Sequence, residues 1–214
     1  MLHYPKIAGS RHCPDGRCIA FEKYDGTNLH WGWDREFGWH SFGTRRDEFT
    51  LTKIGVEQFV QAHAHLAECV DVFQDQLAGG IEKVFIDHAC YREFTSIKVF
   101  TEFFGLNSFA GLHKSGEPKQ LMIFDVLPEP FGLVGSEQFV ADFGHLPTAK
   151  VVYRGKLTGK FSDDVRQGKY EVSEGVVCKG GTGGADLWMF KIKTYAYLER
   201  LKKAFAENWE DYWE

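Results

Sequence analysis

The chain has 214 residues, of which 43% are hydrophobic and 15% aromatic, and it carries a formal net charge of −5. This composition excludes extensive disorder and is typical of one sizeable globular domain. The net charge does not indicate a nucleic-acid-binding protein by itself, although it leaves room for local basic clusters. The five cysteines lack the spacing of a disulfide framework, and we find neither a signal peptide nor an apolar membrane-spanning run. We therefore predict a cytoplasmic protein without a membrane partner.

Strands are predicted where apolar and polar residues alternate. The clearest case is a hairpin formed by residues 27–33 and 37–42, which are joined by a turn at Asp34-Arg35-Glu36. Further strands are predicted over 97–104, 120–127, 151–153, 175–178 and 187–193. The many aromatic residues suit the interior of such a β-rich protein.

Helices are predicted where apolar residues recur at three- and four-residue steps. This pattern runs from Thr52 to about Leu77 and predicts a helix that Gly79-Gly80 would end. A short helix is predicted over 136–143, and a last one over about 194–214 with Thr194 as its cap. Because no linker or repeat is visible, we predict a single α+β domain over 1–214, with antiparallel or mixed sheets flanked by helices.

One lysine near the N-terminus, in the string Lys23-Tyr24-Asp25-Gly26, could be a nucleophile or an ordinary surface residue before a hairpin. Several short strings follow it in the chain: the arginine pair 45–46, VFTEFFG (99–105), MIFDV (122–126), SEGVVCKG (173–180) and WMFKIK (188–193). Taken in order, they resemble motifs I, Ia, III, IIIa, IV and V of the covalent nucleotidyltransferases, the superfamily of ATP-dependent ligases and capping enzymes. The resemblance covers nearly the whole chain up to the last predicted helix.

The residue two positions after the motif I glycine separates the branches of this superfamily. DNA ligases and capping enzymes usually have arginine there, whereas this chain has Asn28. The string Gly26-Thr27-Asn28 resembles the RNA ligases, especially the phage type that seals nicks in duplex RNA, as do VFTEFFG and the YPKI at 4–7. The resemblance implies an ATP-dependent RNA ligase catalytic domain, acting on 5′-phosphate and 3′-hydroxyl ends, and suggests a phage or viral origin.

The resemblance implies that Lys23 attacks the α-phosphate of ATP and becomes covalently linked to AMP. A nucleophilic lysine must be neutral, so we expect burial, nearby cations or a bound metal to lower its pKa. Lys191 and Lys193 lie at i and i+2 on a predicted strand and therefore face the same side. We expect both to act on the phosphate, where negative charge builds up in the transition state.

The remaining site residues are assigned by the resemblance. Glu102 is expected to bind the ribose and Glu174 to bind Mg²⁺ or Mn²⁺, for which carboxylate and phosphate oxygens are suitable ligands. Phe124 is expected to stack on adenine, and Arg45 (or Arg46, since the register is open) to bind a phosphate or the ribose. Glu22 is expected near the adenine. Asp25 is expected to be a turn and hydrogen-bonding residue that completes the nucleotide site with Gly26 and Asn28.

Two other interpretations remain open from the sequence. The chain could be a small DNA ligase, or a degenerate module that binds nucleotides or nucleic-acid ends without chemistry. Sealing also needs a nucleic-acid surface, which a chain of this charge must build from local clusters such as the 150–160 basic cluster of Lys150, Arg154, Lys156 and Lys160. An accessory protein or domain for substrate binding is also compatible with the sequence.

Overall fold

The computed structural model describes residues 4–10, 14–106 and 116–207 and contains two five-stranded sheets with helices beside them. The strands are β1 (Ala8–Gly9), β2 (Arg17–Lys23), β3 (Thr27–Asp34), β4 (Gly38–Thr44), β5 (Phe49–Thr50), β6 (Ser96–Phe104), β7 (Gln120–Pro128), β8 (Val151–Lys156), β9 (Gly175–Gly180) and β10 (Trp188–Lys193). The helices are α1 (Lys53–Ala62), α2 (Cys69–Phe73), α3 (Gly79–Asp87), α4 (Ser136–Phe143), α5 (Gly159–Arg166) and α6 (Tyr195–Phe205). The predicted α+β fold class is confirmed.

The two sheets differ in the direction of their strands. The first has the order β1-β10-β9-β2-β8, and its β1–β10 pair is parallel whereas its other pairs are antiparallel. The second, β5-β4-β3-β6-β7, is antiparallel throughout. The chain passes from the first to the second between Lys23 and Thr27. Gly26 lies in this passage, where a Cβ atom would be 2.5 Å from the carbonyl oxygen of Phe103, so only glycine fits.

The main hydrophobic core covers one face of the second sheet. Trp31 on β3 stacks on Phe73 of α2 with ring centroids 3.8 Å apart, and its indole Nε1 donates to Thr101 Oγ1 at 2.9 Å. Phe42 and Phe59 continue this aromatic packing at 4.8 Å. The high aromatic content therefore forms the β-rich interior that the composition predicts. Buried aromatic pairs of this kind stabilise a fold beyond their area alone.

The helical region before β6 differs from the prediction. The prediction of one continuous helix from Thr52 to about Leu77 is wrong, because α1 ends at Ala62 and a second helical segment begins at Cys69. A π-helical turn over Gln74–Ala78 joins α2 to α3, which continues through both glycines. At Gly80 a Cβ atom would lie 2.7 Å from Leu146, so the glycine provides close packing and does not end the helix.

The last helix, α6, has the predicted cap. The hydroxyl of Thr194 accepts a hydrogen bond from the backbone N–H of Tyr197 at 3.1 Å. The helix spans Tyr195–Phe205, and the remainder of the predicted helix, 208–214, lies outside the described residues. In the part of the chain that is described, no helix has the length and apolarity needed to cross a bilayer.

Candidate nucleotide site

A cavity of about 360 Å³ receives side chains from both sheets. Its volume lies in the range of small-molecule sites. The predicted residues that line it are Glu22, Lys23, Gly26, Asn28, Arg45, Glu102, Phe124, Glu174, Lys191 and Lys193. Asp25 is buried beside the cavity without lining it. Of the two candidate arginines, Arg45 lines the cavity and Arg46 does not.

Strand pairing brings three of these residues together. Gly175, the first residue of β9, is opposite Lys23 on β2 and also opposite Lys193 on β10. Glu174 therefore lies between two lysines: its Oε2 is 2.7 Å from Lys23 Nζ, and its Oε1 is 3.2 Å from Lys193 Nζ. A Cβ atom on Gly175 would lie 2.0 Å from the carbonyl oxygen of Ile192, so glycine permits this close approach.

The pKa of Lys23 is raised above its ordinary value. Burial lowers it, but the negative charges of Glu174 and Glu102 and the hydrogen bond to Glu174 outweigh this effect. The net direction is opposite to the one that we expected from the sequence, because the carboxylates outweigh burial. In this arrangement the side chain of Lys23, which is 25% exposed, is an ammonium group paired with Glu174.

Lys191 is the amine whose pKa is lowered, to about 8. Burial is the main cause, followed by repulsion from Lys193 and Lys23. Within the described residues no carboxylate oxygen lies within 4.0 Å of its Nζ. A desolvated amine without a carboxylate partner is well suited to bind an anion that enters the cavity.

Glu102 and Asn28 line the cavity from the second sheet. They are paired across β3 and β6 in the second sheet. Burial raises the pKa of Glu102 to about 7; Lys23 lowers it, while the negative charges of Glu174 and Asp25 raise it further. The side-chain oxygen of Asn28 is buried and has no hydrogen-bond partner among the described residues. These two residues therefore offer polar groups to a donor on a bound molecule.

Phe124 lies over a buried polar network of residues for which the motifs predicted no role. Lys179 Nζ is 2.6 Å from Asp125 Oδ1 and donates to the backbone oxygen of Phe124, also at 2.6 Å. The hydroxyl of Tyr4 donates to the other oxygen of Asp125, and its ring packs edge-on against Phe124 at 5.1 Å. Burial lowers the pKa of Lys179. Tyr4, Asp125 and Lys179 lie inside motif strings, which was the available signal.

Helix α6 donates hydrogen bonds to residues beside the cavity. The hydroxyl of Tyr197 donates to Asp25 Oδ1 at 3.0 Å, and Arg200 Nη2 donates to the backbone oxygen of Ser173 at 3.0 Å. The backbone N–H and the hydroxyl of Ser173 both donate to Glu22, at 3.0 and 2.8 Å. Glu22 thus orients the loop before Glu174. It also lines the cavity, and its expected position near the adenine stays a prediction.

A metal ion in this cavity would need ligands from a bound nucleotide. Within 4–10, 14–106 and 116–207, no group of three or more His, Cys, Asp or Glu side chains could hold a metal ion. Glu174 fits a divalent cation that is completed by phosphate oxygens and water, because its buried carboxylate has both oxygens directed at cations.

The 150–160 basic cluster is largely neutralised. Three of its four members form ion pairs: Arg154 with Glu137, Lys156 with Asp15, and Lys160 with Asp164. Such exposed pairs leave little excess positive charge for a nucleic-acid backbone. The basic residues that line the cavity are therefore better candidates for phosphate contacts.

Comparison with solved structures identifies the fold as the nucleotidyltransferase fold of ATP-dependent RNA ligases. An archaeal ATP-dependent RNA ligase, form 1, matches 99% of this chain with a TM-score of 0.64 and 16% identity, over 55% of its own length. Form 2 matches 96% with a TM-score of 0.56 and 14% identity, over 52% of its length. The Naegleria gruberi RNA ligase with PPi matches 87% with a TM-score of 0.53 and 14% identity, over 52% of its length.

The chain thus spans about half the length of these solved RNA ligases. No protein-family model and no curated protein matches it. At these identities the similarity establishes the fold alone.

Proposed function

We propose that the chain is an ATP-dependent RNA ligase that forms a covalent Lys23–AMP intermediate. The observation that carries this proposal is the cluster of Lys23, Glu174, Lys191 and Lys193 in one nucleotide-sized cavity. The fold shared with ATP-dependent RNA ligases supports it. The substrates are ATP and RNA with 5′-phosphate and 3′-hydroxyl ends.

ATP would be oriented by residues along the cavity. Phe124 offers a ring for stacking on adenine. Glu102 and Asn28 face the ribose hydroxyls as acceptors, and Lys191 and Arg45 bind the phosphates. The α-phosphate then lies beside Lys23, within the reach of a nucleophile held at the end of a strand.

The first chemical step joins Lys23 to AMP. The lone pair of neutral Nζ attacks the α-phosphorus, a P–N bond forms, and the bond to the β-phosphate oxygen breaks, so pyrophosphate leaves with the electron pair while the amine loses one proton. Next, a 5′-phosphate oxygen attacks this phosphorus, the P–N bond breaks and Lys23 regains a proton. Finally, a 3′-hydroxyl oxygen attacks the 5′-phosphate, loses its proton and displaces AMP.

Glu174 has a double role in this scheme. Paired with Lys23, it keeps the amine protonated and unreactive. A divalent cation, Mg²⁺ or Mn²⁺, would be held by Glu174 together with phosphate oxygens, and it would supply positive charge that neutralises the phosphates. Lys23 must lose its proton before it attacks, and the pairing with Glu174 is the interaction that opposes this loss.

The first experiment is labelling with ATP that carries ³²P at the α-phosphate, in the presence of Mg²⁺ or Mn²⁺. We expect label that remains on the denatured wild-type chain and none on Lys23→Ala. Lys83→Ala, at an exposed lysine on α3, is the control and should label normally. An unlabelled wild-type chain, or equal labelling of Lys23→Ala, would refute the covalent mechanism. An unlabelled chain that still binds ATP would be the degenerate binding module.

The second experiment follows the label onto 5′-phosphorylated nicks in RNA, DNA and hybrid duplexes. Sealing of RNA nicks at the highest rate is expected, and preferential sealing of DNA would identify a small DNA ligase instead. Accumulation of adenylated 5′ ends without sealing would assign the last step to an accessory protein or domain.

A further inference from the structure

The N-terminal segment 4–9 lies along the cavity and is held at both ends. At one end, the buried Tyr4 donates to Asp125. At the other, β1 pairs in parallel with β10, with Gly9 opposite Lys191. Between these anchors, Pro5, Lys6 and Ile7 line the cavity, and the fixed φ of Pro5 limits the motion of this stretch.

Lys6 differs from most lysines of the cavity in its charge environment. Lys23 and Lys193 are paired with Glu174, and Lys179 is paired with Asp125. In the described parts of the chain, Lys6 has no carboxylate oxygen within 4.0 Å, and its side chain is exposed. Lys191 likewise has no carboxylate oxygen within 4.0 Å among the described residues.

Lys6 and Lys191 act on each other electrostatically. After burial, Lys193 and Lys23, the charge of Lys6 is a further contribution to the lowered pKa of Lys191. Two amines that repel one another in one cavity are stabilised together when a polyanion lies between them. The triphosphate of ATP is such a polyanion.

We propose that Lys6 binds the β- and γ-phosphates of ATP and the pyrophosphate that leaves. This assignment rests on the proposed function. When the α-phosphorus bonds to Lys23 Nζ, the breaking P–O bond gives its electrons to the β-phosphate oxygen, and one further negative charge develops there. An ammonium group aimed at this oxygen stabilises the transition state.

Such a role is confined to the first step. The later transfers involve AMP, a 5′-phosphate and a 3′-hydroxyl, and the β- and γ-phosphates have already left. Loss of Lys6 should therefore weaken interactions with ATP and pyrophosphate and leave those with AMP unchanged. General loss of structure would affect all three ligands.

The test compares ATP, pyrophosphate and AMP binding by calorimetry in the presence of Mg²⁺, with and without Lys6→Ala. Lys23→Met serves as the background because it cannot react. We expect the Kd values of ATP and pyrophosphate to rise about tenfold, the effect of one charge-assisted hydrogen bond, while that of AMP stays constant. Lys6→Arg should retain most of the affinity. Lys83→Ala, at an exposed lysine on α3 that does not line the cavity, is the matched control.

The chain that retains Lys23 allows the rate of the first step to be measured as well. Lys6→Ala should slow the formation of labelled Lys23–AMP from ATP about tenfold and slow its reversal by added pyrophosphate equally. Unchanged ATP and pyrophosphate affinities, or an equal loss of AMP affinity, would overturn the role of Lys6. These outcomes differ from failure of the proposed function, in which the native chain acquires no label at all.

Discussion

Replacement of Glu102 by glutamine should make the nucleotide-free protein more stable, although it removes a proposed substrate ligand. The folded protein raises the pKa of this carboxyl from 4.5 to about 7, chiefly through burial. In the unfolded chain the group titrates near its ordinary value. The folded state therefore holds a proton that the unfolded state has lost between these two pH values, and ionisation of Glu102 favours unfolding.

The magnitude follows from the same two values. Because each pKa unit corresponds to about 1.4 kcal/mol, the ionised carboxylate costs about 3 kcal/mol of unfolding free energy at pH 8. Below pH 4.5 both states are protonated and the cost vanishes. As the pH rises through about 7 the cost reaches its full value. Glutamine has the same shape and no charge, so Glu102→Gln should be more stable than the wild type at pH 8 and equal to it at pH 4.

The assay is urea unfolding of both proteins across this pH range, without nucleotide or metal. Glu36→Gln, at an exposed turn residue, is the matched control and should change stability little at any pH. If Glu102→Gln gave the same stability difference at pH 4 as at pH 8, or only the effect of Glu36→Gln, our account of this carboxylate would be wrong. The variant should nevertheless label more slowly with ATP.

Three further predictions concern neighbouring groups. ATP affinity should fall as the pH rises above 8, because Lys191, with a pKa of about 8, must carry a proton to bind phosphate. Binding titrations should show that Lys191→Met removes this decrease. Tyr197→Phe should lower the unfolding free energy by about 1–2 kcal/mol in urea, since it takes the donor from buried Asp25. Lys179→Met alone should lower the unfolding free energy by about 3–5 kcal/mol in urea, because it leaves the buried charge of Asp125 without its lysine partner. The double variant with Asp125→Asn should lose less, because it removes both charges.

The strands and the cluster of site residues were predictable from the sequence because each depends on local pattern and motif order. Alternation placed β3 correctly, and the spacing of Lys191 and Lys193 placed both in the cavity. What the motifs could not reveal is register. Gly175 is opposite both Lys23 and Lys193, and this places Glu174 between them. The arrangement depends on which strands are neighbours in the sheet.

The errors have a similar physical origin. The glycines 79–80 are typical of a helix end, yet they lie inside a helical segment because Leu146, distant in sequence, packs against Gly80. We expected a lower pKa for Lys23 because the motifs place amines nearby, but the motifs do not give the distance from Lys23 to Glu174. Both outcomes depend on tertiary contacts, which no local pattern contains.

The charge of the cavity makes the proposed binding of a polyanion compatible with an acidic chain. The chain as a whole carries −5, yet six basic and three acidic residues line this cavity. Charges outside it act through water and are screened within about 10 Å at ordinary salt, whereas those inside act through a partly desolvated volume. The electrostatic interaction with a triphosphate is therefore determined by the local excess of basic residues and not by the net charge of the chain. By the same reasoning, the RNA of the proposed reaction should be bound most strongly where its 5′-phosphate enters the cavity, and weakly along the mixed-charge surface outside.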